Sequence, residues 1–296
     1  MKKTPRLRVS VANIKENKMK RTFFPILSIF SALMMSACGL ALIPGSGKIV
    51  SEARVVTGFN RVVLAAPGQM SLTQNGSEAL KIETDDNLLQ YIHTRVDGGT
   101  LYIEVEPGAN LMPSKDIHYT LSVKSLQAFD LDGSASVSSA GLQSDQFEVN
   151  LNGSGDISLG KVNVDTLTFN LDGSGSLNVD TLAARKVTLG MNGSGTGTLD
   201  GLTADELQAG INGSGKYVLQ GKVTRQSLQT IGSGDYQAQQ LESQQTNITI
   251  TGSGDSQVWA TQQLNVSIFG SGTVAYQGTP KLTQQISGSG SIHAID

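Results

Sequence analysis

From residue 127 onward, apolar and polar positions alternate. Phe147, Val149 and Leu151 are separated by single polar residues, as are Leu167, Phe169 and Leu171. The alternation resumes at Ile157 and Leu159, and again at Leu177 and Val179. One more apolar residue then follows at Val162, Leu182 or Leu202. Period two marks strands whose two faces meet different surroundings.

The interruption between runs is the same each time. Gly-Ser-Gly begins at 153, 173, 193, 213, 232, 252, 270 and 288, and a degenerate Gly133-Ser134-Ala135 leads the series. A recurring motif spaced by 18 to 20 residues predicts a solenoid. Each unit reads as strand, bend, strand. The expected fold is all-β, a parallel β-helix with about 20 residues per coil and roughly six inward side chains in each.

A coil must bend at the same place every turn, and glycine reaches positive φ without a steric penalty. The serine between the glycines should stack at the ~4.8 Å strand spacing, within reach of the next coil. Just before the motif stand Asp132, Asn152, Asp172, Asn192 and Asn212, with no two aspartates adjacent. Alternation of this kind suits an outward ladder that avoids stacked like charges.

Residues 49–126 are less regular. Val62–Leu64 and Met70–Leu72 flank Ala66-Pro67-Gly68, an eroded copy of the bend. Leu80–Glu83 and Leu101–Val105 read as strands, and Asp85–Tyr91 as a single helical turn. This region is expected to supply opening coils and a cap, because a solenoid needs atypical end units to close its core.

Composition supports the pattern: 34 glycines and 16% charged residues suit many short strands and tight turns. Eight Lys or Arg and one Glu fall within residues 1–37. The remaining chain has 14 basic and 24 acidic residues, a net of −10. Such a surface releases no counterions from a phosphate backbone, so nucleic acid is not an expected partner.

The basic N-terminus has its own logic. Lys20-Arg21 precedes an apolar run from Phe23 to Met35, followed by Ser36-Ala37-Cys38. A charged segment, an apolar run too short to span a bilayer and small residues before a cut describe a secretory leader, with Met19 as a well-placed start. Cys38 is the only cysteine. Its setting resembles the lipobox of bacterial lipoproteins, with Met35 in the usual leucine place. That resemblance implies lipidation at Cys38, and Gly39, where an aspartate would signal retention, implies the outer membrane. The expected layout is therefore a leader over 1–37, lipidated cysteine and tether over 38–48, opening coils and cap over 49–126, and the repeat helix over 127–296.

The segments IVSEARVVTGFNRVVL, LKIETDDNLLQYI and DGGTLYIEVEP, followed by the NGSGD repeats, resemble the putative auto-transporter adhesin, head GIN domain family. The likeness runs over about residues 49–296. It implies parallel β-helices carried on bacterial lipoproteins and secreted proteins.

Candidate chemistry is sparse. Bare Gly-Ser-Gly bends lack the strand-to-helix setting of a nucleophile elbow, and His93, His118 and His293 are the only imidazoles. Gly210–Lys216 has the glycine and lysine spacing of a phosphate loop, but Tyr217 stands where Ser or Thr should hold magnesium. The residues after the bend (Asp156, Ser176, Thr196, Lys216, Asp235, Asp255, Thr273, Ser291) form no metal column. No catalytic residue, cofactor or metal is assigned. Asp235 and Asp255 should be coil neighbours that could bind a cation or act on a polysaccharide. Trp259 and Phe269 should face outward, where aromatics stack on sugars or mark a contact surface.

The expected function is non-catalytic: adhesion, surface binding or envelope structure by a lipid-anchored β-helix. Its partners would be the membrane, a polysaccharide or another envelope protein. A carbohydrate-active enzyme and an accessory subunit of another envelope protein are the rivals. The last coil, running to Ile292 and Ile295 with no polar cap, is expected to be covered either by end-to-end self-association or by a partner that docks there.

Overall fold

The computed structural model describes residues 41–295. The repeat region is a parallel β-solenoid with about eight turns of about 20 residues. Among the described residues, the N-terminal strands are β1 (Ala41–Pro44), β2 (Ile49–Arg54), β3 (Arg61–Ala65), β4 (Gln69–Gln74) and β5 (Ala79–Asp85). A 3-10 turn at Leu89–Tyr91 leads to β6 (Ile92–Asp97), β7 (Thr100–Val105), β8 (Ala109–Met112), β9 (His118–Val123) and β10 (Ala128–Gly133).

Long strands then run from bend to bend: β11 (Ser136–Gly153), β12 (Asp156–Gly173), β13 (Ser176–Gly193) and β14 (Thr196–Gly213). They continue as β15 (Lys216–Gly232), β16 (Asp235–Gly252) and β17 (Asp255–Gly270). Shorter strands follow: β18 (Thr273–Gln277), β19 (Lys281–Gly288) and β20 (Ser291–Ala294).

Each long strand pairs in parallel with the next, and the same repeat position recurs as a column. The pairing of β11 with β12 skips Ala140 and Asp145, where the chain turns, so a coil has three segments. Alternation decides which columns face inward. Leu151, Leu171, Met191 and Ile211 stack in one column, and all are buried. Val137, Ile157 and Leu177 stack in another.

The bend closes by backbone contact. The first glycine of every bend from Gly133 to Gly288 has φ between 117° and 142°, a region that excludes side chains for steric reasons. A Cβ on Gly173 would also lie 2.1 Å from the carbonyl oxygen of Gly153 on the preceding coil. The recurrent bond across coils comes from the serine backbone: the Ser174 and Ser194 N–H groups donate to Gly153 and Gly173 at 2.9 Å. A hydroxyl ladder was the expectation, and it is realised between Ser253 and Ser271, at 3.1 Å.

The inward columns are not uniformly apolar. Where Leu207 stands on β14, β15 and β16 place Gln226 and Thr246, both buried. The Gln226 side chain donates to the Ser243 and Thr246 hydroxyls at 3.0 and 3.1 Å and accepts from Tyr236 Oη at 2.9 Å. The column of Val137, Ile157 and Leu177 continues through Gly197, Tyr217, Tyr236 and Ser256. A Cβ on Gly197 would sit 2.6 Å from the Tyr217 ring. Small residues on either side of the tyrosine pair, Gly197 and Ser256, thus make room for two stacked phenols.

The N-terminal end is built differently. β3 and β4 form a coil in register with β10 and the start of β11, which puts Ala66 and Gly68 opposite Gly133 and Ala135. β7 and β9 add one more parallel row. Beyond it the pairing becomes antiparallel: β6 on β7, β5 on β9 and β2 on β5. At the other end, Leu282 and Ile292 are half-buried and Ile286 is exposed.

The stretch expected to be a tether, residues 39–48, is folded from Ala41 on. β1 pairs in parallel with β8, and the Gly45 N–H donates to the Met112 carbonyl at 2.8 Å. Asp85, fully buried, holds the next turn. Its carboxylate accepts from the Gly47 N–H at 2.7 Å and from the Ser114 N–H and hydroxyl at 2.8 and 2.7 Å. Burial acts to raise the Asp85 pKa, but these donors outweigh it and hold the carboxyl below its ordinary value.

Candidate functional site

The outward columns are the surfaces available for binding. Asp132, Asn152, Asp172, Asn192 and Asn212 are in register and exposed. Asn152 Nδ2 donates to Asp132 Oδ1 at 2.8 Å, and Asn192 Nδ2 to Asp172 Oδ1 at 2.6 Å. A second ladder lies two residues earlier, where Asn150 donates to Asp130 at 2.7 Å and Asn170 to Asn150 at 2.9 Å. Alternating amide and carboxylate gives each carboxylate a neutral donor instead of a like charge.

This first ladder changes character along the solenoid. The column continues through Ile231, Thr251 and Phe269. Ile231 is 46% and Phe269 44% exposed, so the amide ladder gives way to an apolar strip. Sequence reasoning singled out Phe269 and passed over Ile231. Aligning the repeats on the bend would have placed both one residue before the first glycine.

Asp255 begins the next segment, with Trp259 four residues along the same strand. Lys216 pairs with Asp235, and the coils of Asp235 and Asp255 are adjacent. Asp255 Oδ1 accepts the Thr273 N–H at 3.1 Å, a bond within the fold. Trp259 is half-buried, and its ring edge lies 3.5 Å from the Cβ position of Gly278. Phe269 precedes its own bend and stands on the other side of the corner from Asp255. The four candidates therefore form no single cleft. Cys38 lies outside the described residues.

Other chemistry is equally dispersed. His93 is on β6, 3.9 Å from Glu106, His118 is on β9 and His293 on β20. Among the described residues no three His, Cys, Asp or Glu side chains converge as metal ligands would. Lys216 opens a strand and not a helix, which removes the phosphate-loop geometry. An open concavity of about 700 Å³ runs along the corner, where Thr73, Ser139, Gln143, Lys161 and Asn163 line it together with Leu72 and Leu142.

A family model described as "putative auto-transporter adhesin, head GIN domain" matches residues 58–180 and 169–280. The chain belongs to that family. The same architecture occurs in a solved structure described as a putative lipid binding protein from Parabacteroides distasonis. It has 26% identity and a TM-score of 0.68, covering 86% of this chain and 100% of that one. A putative adhesin from the same organism gives 23% identity, a TM-score of 0.68 and the same coverage. A putative adhesin from Parabacteroides merdae gives 22%, 0.67, and coverage of 86% and 99%. No curated protein matches the chain. The match of the GIN-domain model from residue 58 takes in the antiparallel strands β5 and β6 as well as the coils, while β2 precedes it.

Proposed function

We propose that the protein is a non-catalytic adhesin of the bacterial envelope, exported and held at the outer membrane by acylation of Cys38, which presents its outward ladders to a repetitive polar ligand. The observation that carries this reading is the column from Asp132 to Asn212. Side chains there repeat at about 4.8 Å on a backbone locked by a buried apolar core. Such a surface offers many weak, identical contacts, and affinity grows with the number of repeats engaged at once. The apolar strip of Ile231 and Phe269 extends the same column and supplies stacking area for sugar rings. A polysaccharide fits this combination of amides, carboxylates and aromatic area. The relatives described as putative adhesins support a binding role, and among the described residues no three His, Cys, Asp or Glu side chains converge to favour turnover.

Two experiments test this reading. Cells labelled with palmitate should yield a labelled wild type and an unlabelled Cys38→Ser. A labelled mutant would sink the anchor. The soluble domain should retain a subset of an array of envelope and host glycans, and the variant Ile231→Asp/Phe269→Asp should lose that retention. Shortened glycan products in the same incubation would instead identify an enzyme.

A further inference from the structure

Six large apolar side chains are exposed among the described residues, and two of them, Leu42 and Met112, sit on the small sheet of β1 and β8. The inner face of this sheet is accounted for, since Leu111 is buried and Ile43 packs against the core. The outer face carries Leu42, 61% exposed, and Met112, 52% exposed, with Pro44 also exposed. Leu42 pairs with Asn110 and Pro44 with Met112, so these four side chains share one face.

The position of this face follows from chain length. Leu42 is four residues after Cys38, and an extended chain advances ~3.3–3.6 Å per residue, so the two Cα atoms lie within about 14 Å. The strand has no freedom to swing away from its neighbours. The Gly45 N–H is bonded to Met112, the Ser46 N–H to Asn87 Oδ1 at 2.8 Å, and the Gly47 N–H to Asp85. A lipid on Cys38 therefore keeps β1 and β8 within reach of the headgroup layer, which is itself several ångströms deep.

We infer that Leu42, Pro44 and Met112 form a second, protein-borne membrane contact, seated in the interfacial region of the leaflet that holds the lipid on Cys38. The inference rests on the anchor proposed above. Its physical basis is that an apolar surface held near the interface lowers its free energy by leaving water for the acyl boundary. The cap then lies flush against the bilayer, and the protein stands in a preferred orientation instead of trailing on a leash.

The test uses the full lipidated chain in phospholipid vesicles that carry a nitroxide lipid quencher near the headgroup. Acylation occupies the only native thiol, so Met112→Cys and Ser233→Cys can each be labelled with an environment-sensitive fluorophore. Mass spectrometry of the N-terminal peptide reports whether Cys38 is acylated. The expected result is blue-shifted emission and several-fold stronger lipid quenching at 112 than at 233, lost when Leu42→Glu is added. An acylated protein whose label at 112 is as little quenched as that at 233 overturns the contact and leaves the anchor standing. A blue shift at 112 without lipid quenching assigns the face to a protein partner and overturns the contact too. An unacylated Cys38 overturns the anchor and the contact together.

Discussion

The carboxamide of Gln74 occupies the place of a missing strand beside Gln143. Its Oε1 accepts the Gln143 N–H at 2.8 Å and its Nε2 donates to the Gln143 carbonyl at 2.9 Å. β4 ends at Gln74, and the chain leaves the coil for the cap, so the middle segment of β11 starts with an open edge. A side-chain amide has one donor and one acceptor spaced as in a peptide, and can complete the ladder locally. Gln74→Ala should therefore raise hydrogen exchange at Gln143 well above that at Asn163, while global stability falls by about 0.5–1.5 kcal/mol. Unchanged exchange at Gln143 would show that the Gln74 amide is not what protects that N–H.

The bend glycines are constrained twice over, by φ and by the coil beneath. Gly193 has φ 130°, and a Cβ there would lie 2.2 Å from the Gly173 carbonyl oxygen. Gly193→Val should cost at least the ~1–3 kcal/mol of a forbidden backbone conformation, with the backbone clash added. Asn192→Ser, one residue away on the exposed ladder, should cost much less. Equal midpoint shifts in urea for the two variants would contradict the bend.

Two phenols in one column differ in a single bond. Tyr236 Oη donates to Gln226, whereas Tyr217 Oη is buried with no partner. Removing the Tyr236 hydroxyl strands an acceptor in the core, so Tyr236→Phe should destabilise by about 1–3 kcal/mol. Tyr217→Phe removes an unpaired polar atom and should be neutral or stabilising. The order of the two urea midpoints checks this, and a larger loss for Tyr217→Phe would refute it.

Asp85 gives the cap an acid sensitivity. Its carboxyl titrates below the ordinary value because Ser114 and Gly47 donate to the ionised form. A depressed folded-state pKa contributes stability that is complete above the unfolded value of about 3.9 and is lost as pH falls through the lower folded one. Asp85→Asn should therefore be less stable than wild type at neutral pH, and the gap should narrow steadily below about pH 4. A gap independent of pH would mean that the carboxylate charge is not what holds the turn.

Much of the architecture was legible before any coordinates. Inward Leu151, Leu171 and Met191, the glycine at every bend and the outward column from Asp132 to Asn212 all follow from local rules. They depend on the two-residue strand period, the φ that only glycine tolerates and the spacing of the motif. Even the eroded bend at Ala66-Pro67-Gly68 takes its expected place, opposite Gly133-Ser134-Ala135.

What the tertiary structure added lies where distant segments meet. Gln74 finds Gln143 across 69 residues, Asp85 reaches back to Gly47, and β1 finds β8 across nearly as long an interval. Gln226 and Ser256 look like surface residues until the register turns their columns inward. A repeat determines its own contacts, because each coil meets a copy of itself at a fixed offset. The cap, the buried polar core and the apolar face of Leu42 and Met112 have no copy to predict them, and only the packed chain decides which of their groups come within bonding distance.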